Sequence, residues 1–342
     1  MGILDWFKNR PGQYDQDRAN DELVHWAIDK AIALVNPRLK LLPGYDKRLA
    51  PAVATTIEFL RAQVSTLPAV HVLSSKTWSS DPALRAFFVA PTDISAVLGK
   101  SDNLRTLFDK FPDLDEACLV LGMACNVQRV FGMALHGDTV QRDVAQTSVS
   151  FTDHRARLCD RDESKLRRVV GVEIFEHLVA QALSEIGEER TERQELQTNR
   201  SLIRTRLRLL KQYGPGLGSM FGEAPAAKGE QAGLEAALLE NERQLEAIGG
   251  GESALDTELE CLKAVLGSPE RYLHFEPRRL RLNPMNIVLD ENSTEKTADV
   301  DFSVVELSGA APISRAFILA RAARSEMPPP QKIDFDHAVR YL

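Results

Sequence analysis

The sequence predicts an α+β protein: a helical N-terminal region, then an antiparallel β-sheet or small barrel interrupted by a long antiparallel coiled-coil helical hairpin. Three observations predict it. Residues 163–268 carry apolar positions at spacings of three and four on both sides of a Gly-rich stretch, which is helical periodicity. Alternating or β-branched segments stand before and after that stretch, so one sheet is left and re-entered. The first hundred residues show helix-period patterning with proline-marked ends. The expected organisation is a helical region at 1–112, a discontinuous β body at 113–162 and 269–326, the hairpin at 163–268, and a tail at 327–342.

In the N-terminal region, Leu23, Trp26, Ala27, Ala31 and Leu34 give a helix from Asn20 to Val35, stopped by Asn36-Pro37. The Pro- and Gly-containing stretch to Tyr45 reads as a loop. A second helix is expected from about Pro51 to Leu67, with Pro51 in its first turn. Shorter helices are expected at 82–88, 93–98 and 102–108, with Thr92 and Ser101 as N-caps of the last two. Ahead of these, Ile3, Leu4, Trp6 and Phe7 make a short apolar segment. It reads as a helix docked on the body, with peripheral membrane contact as the alternative. Only Lys8 and Arg10 supply a cationic face there.

In the β body, Cys118–Cys125, Val130–Leu135 and Thr139–Phe151 read as a three-stranded meander, with His136-Gly137-Asp138 as a hairpin turn. The run 115–134 also has the length of a helix. Strand signals resume at 272–275, 280–289, 300–307 and 316–320.

The hairpin has a derivable register. Leu234, Leu238, Asn241, Leu245 and Ile248 form one stripe; Leu196, Ile203, Leu207 and Leu210, with Asn199, form the other. Facing residues of an antiparallel pair have numbers of constant sum. A sum near 441 pairs Leu207 with Leu234, Ile203 with Leu238 and Leu196 with Leu245, and brings Asn199 towards Asn241. Carried outward, it pairs Ile186 with Leu255, Ala182 with Leu259 and Val179 with Leu262. Charge agrees: 200–211 holds Arg200, Arg204, Arg206, Arg208 and Lys211 and no acid, whereas Glu230, Glu235, Glu240, Glu242 and Glu246 lie opposite. That match disfavours nucleic acid as the partner of the basic helix. The same register places Gly187–Glu195, which lacks a large apolar residue, against Gly249-Gly250-Gly251, so the seam is expected to weaken midway. It also sets Leu217, Met220 and Phe221 at the tip, the expected partner-binding residues.

Composition is that of a soluble globular chain, 44% hydrophobic and 27% charged, with a net charge of −7. Four cysteines without a C-x-x-C pair and the absence of an N-terminal signal pattern suggest a reduced, cytoplasmic setting. No catalytic, metal or cofactor signature is present, and the reading leans away from an enzyme. The cluster 147–155 contains Ser150, Asp153 and His154. A strand there sends Asp153 and His154 to opposite faces, and puts Ser150, Thr152 and His154 on one face at about 7 Å intervals, too far apart for a nucleophile and its base. A hydrolase is the least favoured reading. Gly214, Gly216 and Gly218 follow a helix rather than a strand, so turn chemistry explains them better than phosphate binding.

The alternative to a partner-binding hairpin is a small anionic, nucleotide-type ligand held by Arg157, Arg161, Arg279 and Arg281 of the β body. The R-x-x-x-R spacing of Arg157 and Arg161 resembles that of PilZ-type cyclic-dinucleotide binders, which also use a small β-barrel. This chain departs from their D-x-S-x-x-G strand: Asp301 and Ser303 are followed by Glu306 where glycine belongs. In outline, strands flanking a helical hairpin also resemble periplasmic membrane-fusion adaptors, a likeness of architecture only. The expected function is a non-enzymatic interaction or scaffold protein, binding a protein partner or a second copy of itself.

Overall fold

The computed structural model describes residues 13–136, 139–213, 224–247, 254–289, 297–308 and 312–329. The protein is α+β: among the described residues there are eight α-helices and one mixed seven-stranded sheet. The chain divides into two compact units, one of residues 3–57 and 176–269, the other of residues 58–175 and 270–342.

The first unit is helical. It holds α1 (Gln13–Val35), the start of α2 (Tyr45–Thr66), most of α6 (Glu163–Tyr213), α7 (Ala224–Ala247) and α8 (Ala254–Gly267). α1 buries Val24, Ala27, Ile28, Ala31, Ile32 and Val35 as one stripe, and α8 buries Leu259, Leu262, Val265 and Leu266. α6 contributes Leu178, Val179, Ala182 and Ile186. Within this apolar packing sits one carboxylate. Glu258, 6% exposed, accepts from Asn36 Nδ2 at 2.7 Å and from Arg190 Nε and Nη2 at 2.9 and 2.6 Å. Arg48 reaches Asp256 at 2.7 Å and Glu260 at 2.8 Å, tying α2 to α8.

Some boundaries differ from the sequence expectation. The stretch expected as a loop after α1 contains a 3-10 turn, Pro37–Leu41, capped by the Asn36 side chain. α2 starts six residues before Pro51, so that proline lies inside the helix. Gly44, at φ +66°, turns the chain into α2 and accepts from Arg48 N. This start signal outweighs the preference of Pro51 for a first turn. Where the sequence leads one to expect a single second arm there are two helices, α7 ending at Ala247 and α8 beginning at Ala254.

The second unit is built on the sheet. Its strands are β1 (His71–Leu73), β2 (Glu116–His136), β3 (Thr139–Asp160), β4 (Leu273–Leu282), β5 (Ile287–Val288), β6 (Ala298–Leu307) and β7 (Ile313–Ala323). The order β1-β7-β2-β3-β5-β4-β6, with an added β6–β7 pairing, closes six of these strands into a ring. β1 runs parallel to β7 (His71 opposite Ala320), so the sheet is mixed rather than antiparallel throughout. Its three residues are too few to show a period in a region otherwise helical. The expected three-stranded meander is instead one long two-stranded hairpin, β2 with β3. Asn126–Arg129, read as a break, continues the strand, paired to Thr147–Ser150.

Three small helices, α3 (Pro82–Phe87), α4 (Pro91–Gly99) and α5 (Asp102–Lys110), pack on the sheet. Ser101 caps α5, as its sequence position predicts. α4 starts two residues earlier than expected. Pro91 occupies its first position, and the Asp93 carboxylate accepts from Ala90 N, so Thr92 is not the cap. Two guanidiniums satisfy helix-end carbonyls: Arg324 donates to Phe108, Phe111 and Leu114, and Arg167 to Val64, Leu67 and Pro68. The sheet core joins Phe87, Phe151 and Phe302 edge to face, with centroids 5.0 and 5.3 Å apart. Phe302→Ala empties one fully buried end of this stack and is expected to cost about 3–5 kcal/mol, measured by urea unfolding.

Candidate functional site

Along α6 the least exposed positions beyond the base are Ala182, Ile186, Glu189, Arg193, Leu196, Arg200, Ile203, Leu207 and Leu210. They recur at four and three without a break. On α7 the corresponding positions are Gln231, Leu234, Leu238, Asn241 and Leu245, with half-buried Glu242 beside them. Leu207, Asn241 and Leu245 are buried. Arg204 Nη2 meets Glu242 Oε1 at 2.6 Å from α6 to α7. Asn199 is exposed, and Arg200 takes the place on the stripe that the sequence reading gave to Asn199. Asn241 Oδ1 is buried with no donor among the described residues. Large aliphatic residues nevertheless remain outside these stripes: Leu202, Leu209 and Leu239 are 62%, 51% and 71% exposed. The expected tip residues Leu217, Met220 and Phe221 lie outside the described residues, as do Ile3, Leu4, Trp6 and Phe7.

The four arginines of the alternative reading do not act as one cluster. Arg279 forms a two-point pair with Asp301, Nε–Oδ1 2.6 Å and Nη2–Oδ2 3.0 Å, and Arg281 meets Asp299 at 3.3 Å. These are cross-strand pairs between β4 and β6. The Arg161 guanidinium lies 4.6 Å above the Phe111 ring, while Arg157 is exposed on β3. Two of the four are therefore already held by carboxylates.

The polar cluster on β3 departs from simple alternation because Asp153 has φ +50°. Val149 and Phe151 are buried at odd positions; after Asp153 the buried residue is Ala156, at an even one. This parity change is what an irregular residue in a strand produces. It turns His154 inward to stack on Phe88 at 4.8 Å, while Ser150 and Thr152 stay exposed. Asp153 itself pairs outside with Arg155 and Arg315, and these bonds hold its carboxyl below the usual range. Among the described residues His154 Nε2 has no hydrogen-bond partner, so it does not receive a proton from Ser150. Burial lowers the pKa of His154, against the opposing pull of the Phe87 backbone, Asp93 and Asp153.

One surface was not read from the sequence. β2 pairs with β7 only as far as Met123, so the distal part of the β2–β3 hairpin extends past that neighbour. It exposes Val127 at 58%, Phe131 at 78% and Met133 at 67%. Their alternation was visible, but alternation does not say which face lacks a covering layer. No cluster of three His, Cys, Asp or Glu fit to hold a metal occurs among the described residues, and no described helix is long and apolar enough to cross a membrane. In comparison with known proteins, no family, curated sequence or solved structure matches the chain.

A buried histidine with a lowered pKa stabilises the fold fully above its unfolded value of about 6.5 and loses that contribution as pH falls. The stability of the wild type relative to His154→Phe is therefore expected to decline between about pH 7 and pH 5. Parallel pH profiles of chemical denaturation would count against this burial.

Proposed function

We propose that the protein is a non-enzymatic interaction or scaffold protein, whose coiled-coil hairpin binds a protein partner or a second copy of the chain. The observation that carries the reading is the pair of unbroken stripes on α6 and α7, beside which large leucines stay exposed. The register supports a coiled coil independently. If facing seam residues sum to 441, as Leu207 and Leu234 do, the residues that follow the seam position reached by a three-residue step on each helix, Ile203 on α6 and Asn241 on α7, face one another at a sum five higher. Arg204 and Glu242 meet that condition. The exposed apolar residues Val127, Phe131 and Met133 on β2 support an interaction role as well, because exposed apolar surface can mark contact sites. Anion binding by Arg157, Arg161, Arg279 and Arg281 receives less support, since it requires the Asp299 and Asp301 pairs to open.

Replacing residues 191–250 by a short flexible linker keeps Arg190 on Glu258 and removes the distal arm. The thermal unfolding of the remainder is expected to persist and co-purification of the partner to be lost; undiminished recovery overturns the reading. Asn241→Leu removes a buried carbonyl without a donor, and is expected to raise the stability of the full chain by about 1 kcal/mol. It should also loosen the pairing register, which spin labels on the two arms would report as a broadened distance distribution.

A further inference from the structure

We infer that a small pocket of the sheet unit binds the carboxylate of a short-chain monocarboxylic acid, with Arg85 as the residue that receives it. The inference is independent of the hairpin. The pocket lies between α3, the turn that joins β4 to β5, and the start of β6. Arg85 sets it apart. Other arginines of this unit have their charge answered: Arg278 by Glu276, Arg279 by Asp301, Arg281 by Asp299, and Arg324 by three carbonyls. The Arg85 guanidinium has neither carboxylate nor carbonyl on it among the described residues, and no acid stands in the pocket lining. Water satisfies a fully exposed guanidinium, but Arg85 is half-buried and its Nε is sealed from solvent without an acceptor. A charge so placed is unfavourable until an anion answers it.

Geometry and lining narrow the anion to a carboxylate. With Nε sealed, Nη1 and Nη2 are the donors left, and their parallel N–H groups match the two oxygens of a planar carboxylate. The Thr297 hydroxyl, also in the lining, supplies a further donor. The enclosed space is about 30 Å³, that of two waters at about 10–15 Å³ each, so it takes a carboxylate group but no nucleotide. Leu282 and Val300, 3% and 0% exposed, form the inner wall, and the exposed Pro82 and Pro284 the outer one. That apolar lining suits a short alkyl chain better than a hydrated phosphate. The walls are also held in place. Asn286, at φ +58°, donates from Nδ2 to Ala86 O at 3.0 Å, which ties the turn to α3 across 200 residues of sequence. Asn283 Oδ1 accepts from Met285 N and Ile287 N at 3.0 Å each, and Asn286 O accepts from Val149 N at 2.9 Å. A site so fixed loses little conformational freedom when a ligand enters.

Saturation-transfer NMR of the full chain with sodium butyrate, in low-salt buffer, tests this. The expected wild-type result is transfer to the butyrate methyl with a Kd on the order of millimolar, as suits a ligand of so few atoms. Butyramide, the same chain without the charge, is expected to give no transfer, and inorganic phosphate at equal concentration to leave the butyrate signal in place. N-acetylalanine presents the carboxylate of a peptide end and is expected to bind more weakly, because its amide meets the prolines. Arg85→Gln is expected to weaken butyrate binding by at least about tenfold. Arg85→Lys keeps the charge without the paired donors and is expected to weaken it by about threefold. Far-UV circular dichroism checks the fold of both variants, and the lysine variant decides alone if the glutamine variant does not fold. No transfer to butyrate overturns the proposal, as do equal transfer to butyramide and binding that the folded variants leave unchanged. Displacement by equal phosphate, or tighter binding of N-acetylalanine, overturns the choice of a free monocarboxylate.

Discussion

Everything in the helical unit depends on α6 keeping one side covered along its length. A helix of 51 residues gains little from propensity alone, because most helical stability in proteins comes from packing an apolar face. The covered side of α6 changes character as it runs. At the base it is aliphatic, with Leu178, Val179, Ala182 and Ile186 nearly inaccessible. Through Glu189, Arg193 and Arg200 it is polar and half-covered, and at Ile203, Leu207 and Leu210 it is aliphatic again. The three-four spacing survives this change in chemistry. Geometry is thus held constant while the strength of the contact varies, which separates a firmly packed base from a more weakly held arm.

The β unit meets a different constraint, that of ending its strands. Ring closure by β6 on β7 removes two edges. The hairpin of β2 and β3 is longer than the ring needs: among the described residues β2 pairs with β7 as far as Met123 and β3 with β5 at Thr147 and Ser148, and beyond these the two strands pair with each other alone. Isolated two-stranded ribbons are marginal in water. Asp143 and Asp153, both at positive φ, interrupt β3, and irregularities of this kind spoil an edge as a template for further pairing. The same irregularity at Asp153 moves His154 from the outer face to Phe88. One backbone feature therefore serves strand termination and core packing together.

Much of this was legible in the sequence, and the failures have physical causes. The helical stripes could be read because a 3.6-residue period repeated over many turns is a strong signal, as Leu234, Leu238, Asn241 and Leu245 show. Asn199 was misplaced by one residue because an asparagine resembles a seam residue more than Arg200 does. Long side chains can lay their aliphatic stems along a seam while the charge reaches water. β1 was missed because three residues carry no period. The meander became a hairpin because Asn126 and Gln128 read as breakers, whereas an exposed ribbon tolerates polar residues. The inward turn of His154 depends on a single φ value, which no residue pattern announces. The exposure of Phe131 and Leu202 was invisible for a different reason: apolar residues do not declare whether anything covers them.

The polar seam residues decide how the arm should be understood. A seam built only for stability would carry leucine where Arg193, Arg200 and Asn241 stand, because a buried polar group without full hydrogen bonding is a net cost of about 1–3 kcal/mol. Asn241 bears that cost visibly, its Oδ1 buried without a donor. Polar residues at such positions fix register and orientation in coiled coils at the expense of stability. The Arg204–Glu242 pair at 2.6 Å fits such a register. A one-turn slip would separate the two residues. Register matters little to a hairpin that only has to fold, since many alignments of leucines are nearly equivalent. On the coiled-coil reading proposed above, the cost at Asn241 therefore goes to alignment rather than to strength of pairing.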